Sequence, residues 1–260
     1  RLSRFRVGIA ALGAQSDKLY SESLRLAGDG VGSHIHLQEV REEVTAIRLR
    51  HGSTPIEHCA RTGLFHSPTI AAHCVWVSGD DLRVLAEHNV GVAHNPVSNM
   101  ILASGVCPVP ELINEGVAVG IGVDGAASND RQDMIEAMKA TSLIQRVSRL
   151  QATSLSARDV FEMATIGGAR ALEIDDDLGS LEPGKLADIV VFDGNSLALA
   201  NVHDPLASIV FVAGVSEVKQ VWVGGELVLE GQQPLRVDAG EVAQRSRGLA
   251  STLLERAGIQ

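Results

Sequence analysis

Shortages bound this chain before any motif is read. It has 3 cysteines in 260 residues, Cys59, Cys74 and Cys107, with no Cys-x-x-Cys pair. An odd number at wide spacing excludes a disulfide framework or a thiolate zinc cluster and fits a reducing compartment, with each thiol a small buried hydrophobe. No apolar run reaches the ~18 residues a membrane span needs, and no secretory apolar stretch stands near the start. Positive charge is also scarce. The 22 Lys and Arg face 32 Asp and Glu, a formal net charge of -10, which argues against nucleic acid or an anionic membrane as main partner. These exclusions leave a cytoplasmic protein with a small-molecule substrate. Hydrophobic side chains, by contrast, are plentiful: 45% of residues, with a mean hydropathy of +0.13, suffice for a substantial core.

Periodicity divides the chain at about residue 174. Before it, apolar runs at 6–12, 31–37, 69–75, 90–96 and 117–123 read as strands. Helical patterns separate them at 16–26, 42–50, 56–62, 80–88 and 108–115. An amphipathic helix follows from Asp133, carrying Met134, Ile135, Met138, Ile144 and Val147. Another starts at Ser156 and stops near Gly167-Gly168. Ser78 and Asp81 have capping-box spacing before the fourth of the helices. Repeated strand–helix units of this length imply parallel strands joined by crossovers. After residue 174 the pattern turns to short strands at 187–192, 209–212, 218–223 and 226–229, the last two flanking the hairpin signal Gly224-Gly225. That is too few strands for an independent sandwich.

Chemistry-bearing residues collect at the ends of the early strands. His34 and His36 lie in one, with Glu39 just past its end; His73 and His94 lie in the next two; Asp124 ends the following run, before Gly125. Carboxyl ends of parallel strands face the ligand in barrel and doubly wound folds. Three successive strands with histidine near their carboxyl ends, carrying His36, His73 and His94, followed by a fourth ending in Asp124, therefore form a ring suited to a metal ion. His34 shares a face with His36 but lies deeper, and reads as a packed core residue. His51, His58, His66, His88 and His203 read as surface residues, Glu42 and Glu43 as a wet helix face, and Asp175-Asp176-Asp177 as a solvated turn.

Four segments together carry a family resemblance: His36-Leu37-Gln38-Glu39, Ala72-His73-Cys74-Val75, Ala93-His94-Asn95-Pro96-Val97-Ser98-Asn99 and Val123-Asp124-Gly125-Ala126-Ala127-Ser128-Asn129, with Gly179 to Asp188 in support. The chain resembles the amidohydrolase superfamily, in the cytosine-deaminase-like branch that includes S-adenosylhomocysteine, guanine and 8-oxoguanine deaminases and triazine hydrolases. The resemblance implies an α/β fold: about strands four to eight of a (β/α)8 barrel over residues 1–173, part of a composite β-sandwich over 174–235, and a C-terminal helix over 236–260. It implies one divalent metal ion, zinc or alternatively iron, held by His36 and Asp124, which lowers the pKa of bound water and supplies hydroxide. Glu39, His73 and Asp124 become the catalytic residues: Asp124 accepts the water's proton, Glu39 protonates the substrate nitrogen and then the leaving group, and His73 holds the attacking oxygen in line.

The activity so implied is hydrolytic deamination of an aromatic nitrogen heterocycle: a purine, oxopurine, pterin or triazine. Alternatives are a triazine hydrolase expelling chloride or an alkylamine, and a metal-free binding or regulatory remnant. His94 and Ser128 are candidates either to touch substrate or to hold loops. Trp76, where S-adenosylhomocysteine deaminases usually show a second histidine, either stacks on a flat heterocycle or packs beneath a loop. Val123, in place of the usual Thr, turns the motif toward oxopurine, pterin and triazine hydrolases. The family's strand-one His-x-His pair has no counterpart here, since Ser33-His34-Ile35-His36 falls too late in the strand order. The expectation is therefore that upstream sequence or another chain supplies strands one to three, that these 260 residues alone bind metal weakly and turn over little, and that an open sheet edge favours homo-oligomers.

Overall fold

The computed structural model describes residues 5–28 and 30–259. Five parallel strands, β1 (Arg6–Ile9), β2 (Gly32–Leu37), β3 (Thr69–His73), β4 (Gly91–His94) and β5 (Val119–Ile121), pair in the order of the sequence. Helices α1 (Asp17–Ala27), α2 (Arg41–His51), α3 (Pro55–Thr62), α4 (Gly79–Glu87), α5 (Pro96–Ile101) and α6 (Val109–Asn114) fill the crossovers. After β5 come α7 (Ala126–Asn129), α8 (Met134–Arg149), α9 (Ala157–Ala164) and α10 (Ile166–Ala171). Sequential parallel strands, each followed by helix, are the repeating unit of a (β/α) barrel, so this part of the chain is a partial barrel. The register opposes His36 to Ala72, Leu37 to His73 and His94 to Ile121, which brings the carboxyl ends of β2 to β5 to one level.

Local chemistry explains where the elements begin. Ser16 caps α1, Thr54 and Ser78 open α3 and α4 with capping boxes, Asp133 caps α8, and Ser156 with Asp159 boxes α9. The core between sheet and helices holds Ile35, Leu37, Ile56, Leu64, Leu85, Val92 and Leu112, each almost wholly removed from water. One of these caps is also a tie between elements. The buried Asp81 carboxylate accepts from Ser78 N–H at 2.7 Å, Ser78 Oγ at 2.8 Å, Thr54 Oγ1 at 2.5 Å and Gln38 Nε2 at 3.2 Å, joining α3, α4 and the end of β2. Truncation would strand those donors in the core. Asp81→Ala is expected to cost about 2 kcal/mol, and urea unfolding midpoints of the two proteins measure it.

A second compact unit comprises residues 186–202 and everything from 214, whereas 203–213 belong with the partial barrel. In this unit β6 (Ile189–Phe192) forms an antiparallel sheet with β7 (Val218–Val223), β8 (Glu226–Glu230) and β9 (Gln233–Pro234), and α12 (Ala239–Ala257) comes last. The hairpin turns at Gly224-Gly225, both at positive φ.

Several expectations need correction. Residues 209–212 are not a strand but the end of a helix, α11 (Pro205–Phe211), which Asp204 caps and Pro205 opens. A short apolar run does not distinguish strand from helix, and the Asp-Pro start signal decides it. Gly167-Gly168 do not stop a helix either. They lie inside α10 after a break at Thr165, where a Cβ on Gly167 would sit 3.0 Å from the Val119 carbonyl, so glycine serves close helix–strand approach. His58 is buried rather than superficial, its Nε2 3.0 Å from Asp17 Oδ1. His34 is exposed rather than packed, on the same face of β2 as His36. Glu43 is not a wet residue: its Oε1 is buried without a hydrogen-bond partner.

Candidate active site and metal centre

The strand ends converge because three of them break regular backbone geometry. Gln38, His73 and Asp124 take φ of 51°, 75° and 60°, left-handed conformations that non-glycine residues adopt at a cost. At His73 this turns out of the strand's alternation a side chain that would otherwise share its face with Ala71. One ligand atom each from His36, His73 and Asp124 then lies within 4.8 Å of the others. Glu39 joins them: His73 Nε2 is 3.7 Å from Glu39 Oε2 and 3.9 Å from Asp124 Oδ2.

Each group is held from behind. His36 Nδ1 lies 2.5 Å from the Ala10 carbonyl and His73 Nδ1 2.8 Å from Asn99 Oδ1. A protonated Nδ1 donating to each oxygen leaves the Nε2 lone pairs free. Asp124 accepts from Ser98 Oγ at 2.6 Å and Ser128 Oγ at 3.0 Å on Oδ2, and from Gly125 N–H at 2.8 Å on Oδ1. Burial works to raise its pKa, but those three hydrogen bonds and the nearby His73 outweigh it and hold the carboxyl below its ordinary range. Glu39 Oε1 accepts from Ser104 Oγ at 3.3 Å.

The donor set fits a divalent ion of borderline softness. Two imidazoles and one carboxylate converge, and His73 Nε2 is buried with no hydrogen-bond partner, as a nitrogen aimed at an ion or at a bound oxygen would be. The other expected contacts divide. Ser128 touches Asp124. Trp76 is 40% exposed and anchored, its indole N–H donating to the Ser104 carbonyl at 2.8 Å with the Arg41 guanidinium 5.4 Å above its ring. His94 stays outside the cluster, wholly buried with neither ring nitrogen hydrogen-bonded among the described residues. Burial, then the neighbouring His73, push its pKa down to about 3, so the ring is neutral. Ser98, Asn99, Ser104 and Glu43 escaped sequence reasoning. The only available signal was the position of Ser98 and Asn99 in the motif after β4, one turn beyond Pro96.

Comparison with known proteins decides the family. The model of the amidohydrolase family matches residues 4–228. The chain belongs to the amidohydrolase family. Among curated amidohydrolases, it is 46% identical over 225 residues to the 5-methylthioadenosine/S-adenosylhomocysteine deaminase of Desulforudis audaxviator, covering 86% of this chain and 52% of the relative. It is 38% identical over 253 residues to the 5'-deoxyadenosine deaminase of Methanopyrus kandleri, covering 97% and 58%. Of solved structures, a zinc-bound adenosine deaminase from Xanthomonas campestris superposes with TM-score 0.91 at 31% identity, over 95% of this chain and 56% of that one. The zinc complex of atrazine chlorohydrolase from Arthrobacter aurescens gives TM-score 0.86 at 26% identity, over 93% and 54%. The chain thus spans about half the length of the curated relatives it matches. No helix among the described residues is long and apolar enough to cross a membrane.

Proposed function

We propose that this chain carries the strand-end chemistry of a metal-dependent deaminase that hydrolyses the exocyclic amine of an adenine-bearing nucleoside. The observation that carries the reading is the meeting of Glu39 and Asp124 within 4 Å of His73 Nε2, with a His36 ring nitrogen within 4.8 Å of the His73 and Asp124 ligand atoms. Relatives named for methylthioadenosine, S-adenosylhomocysteine and deoxyadenosine support the substrate class, narrowing the wider set of heterocycles expected from Val123 and Trp76.

His36 and Asp124 would hold the ion, with His73 Nε2 facing the same space. When bound, the ion would polarise water and lower its pKa toward neutrality. Asp124 Oδ2, kept ionised by Ser98 and Ser128, is placed to accept the water's proton. Glu39 Oε2 would give its proton to the ring nitrogen as oxygen adds to the ring carbon, then take the proton of the new hydroxyl and pass it to the departing amine, and the proton held by Asp124 would restore Glu39. The C–N bond breaks, ammonia leaves and the ring retains the oxygen. His73 Nε2 would orient the adding oxygen between the two carboxylates, and Trp76, partly exposed and tied to Ser104, would be the aromatic surface available to a flat ring.

A second reading within the same machinery expels chloride or an alkylamine from a triazine, and the likeness to atrazine chlorohydrolase favours it. Leaving groups separate the two. Zinc-supplemented protein is expected to release ammonia from methylthioadenosine, S-adenosylhomocysteine or 5'-deoxyadenosine, slowly where the 260 residues act alone. Chloride or amine release from a triazine, with none of these nucleosides consumed, would transfer the assignment to the second reading. Stoichiometric zinc without any turnover would favour a binding remnant.

A further inference from the structure

Residues 98–104, helix α5 from its third residue and the bend that leaves it, touch Glu39, His73 and Asp124, the three groups proposed to handle protons and the adding oxygen. Ser98 Oγ donates to Asp124 at 2.6 Å, Asn99 Oδ1 accepts from His73 Nδ1 at 2.8 Å, and Ser104 Oγ donates to Glu39 at 3.3 Å. The segment is stiff. Pro96 presets the first helical φ, Asn99 N–H donates to the Asn95 carbonyl at 3.0 Å, and Ser104 N–H donates back to the Asn99 carbonyl at 2.9 Å. Ser98, Asn99 and Ser104 are buried. The Ser104 carbonyl in turn accepts from the Trp76 indole.

We propose that this segment is a single brace that positions the three groups, and that Asn99 is its tautomer-selecting member, keeping the His73 proton on Nδ1. Two forces compete for that proton. The carboxylates of Glu39 and Asp124, 3.7 and 3.9 Å from Nε2, draw it toward the site. The Asn99 carbonyl oxygen, closer at 2.8 Å and shielded from water, holds it on the far side. With the proton on Nδ1, the Nε2 lone pair faces the cluster. Removing the acceptor leaves only the pull of the carboxylates, and the proton moves to Nε2. Ser98 and Ser104 act in parallel on the carboxylates themselves, so one short segment orients both ends of the proposed proton path.

The inference takes its functional meaning from the deaminase reading, but its test does not depend on turnover. Long-range proton–nitrogen spectra of the imidazoles in the full 260-residue chain, at a pH where the rings are neutral, read which nitrogen carries the proton. His73 is expected to show a protonated Nδ1 and a bare Nε2. Asn99→Leu is expected to lose the Nδ1-bound proton from His73 while His36, held by the Ala10 carbonyl, keeps its own, and Asn99→Asp is expected to retain both. A wild-type His73 protonated on Nε2 with a bare Nδ1 would overturn the proposal without any variant, as would a folded Asn99→Leu protein whose His73 signals are unchanged. A failed deaminase reading shows instead as absent ammonia release, with the tautomer result intact.

Discussion

Asp124→Asn is expected to reduce ammonia release by about 100- to 10,000-fold, the range typical for removal of a positioned proton acceptor, and to weaken zinc binding at least about tenfold. The argument rests on charge rather than shape. Asparagine keeps the size of the side chain, one acceptor oxygen for Ser98 or Ser128, and a tolerance for the φ of 60° found at this position. It loses the negative charge that converges with His36 and His73, and the second oxygen that Gly125 N–H now holds. The fold should therefore survive while the site fails, which circular dichroism and metal analysis on the same sample separate. The sign with pH comes from the depressed pKa. Burial opposes ionisation, yet the hydrogen bonds win, so the carboxylate stays charged through the neutral range and the wild-type advantage over Asn disappears only in acid. Full activity with zinc bound in the Asn protein would remove Asp124 from the proposed mechanism.

Much of this arrangement was legible in the residues. Strand ends were found because a buried parallel strand writes itself as a continuous apolar run, and the residues just past its carboxyl end meet the ligand. His36, His73 and Asp124 could thus be grouped from position, but so was His94, which the structure leaves outside the cluster. The fine geometry was not legible. His73 belongs by alternation to the outer face of β3, and only its positive φ brings it to the cluster, a conformation that tertiary packing imposes on a non-glycine residue. Burial of polar residues was equally hidden. His58 and Glu43 sit on helices whose charged neighbours make them look wet, and His34 sits in a strand whose apolar neighbours make it look packed. In each case the sequence window reports the average of a face, whereas the burial of one residue depends on what another element brings against it. The strand mistaken at 209–212 has the same cause, since a four-residue apolar stretch carries no period.

The largest stability effect should come from Glu43, which sits behind the site in the first turn of α2. Burial, with the charge of Glu39 adding to it, raises its pKa from 4.5 to about 7, against the opposing bonds from the backbone N–H groups of Glu39 and Gln38. In an unfolded chain Glu43 ionises near its ordinary value; in the folded protein it stays protonated until near neutrality. Its contribution to stability is therefore fully present below pH 4.5, declines as the pH rises, and is gone above about pH 7, a loss of about 3 kcal/mol. Glu43→Gln keeps an acceptor for the two N–H groups and cannot ionise, so it should escape that loss. Urea unfolding of both proteins at pH 4.5 and pH 8 tests the expectation, with the Gln variant gaining on wild type by up to about 3 kcal/mol across the interval. Comparing the two proteins isolates Glu43, because the neutral His94 weakens both alike when the pH falls below the usual imidazole range. Parallel pH profiles would mean that the Glu43 carboxyl reaches enough water to ionise normally.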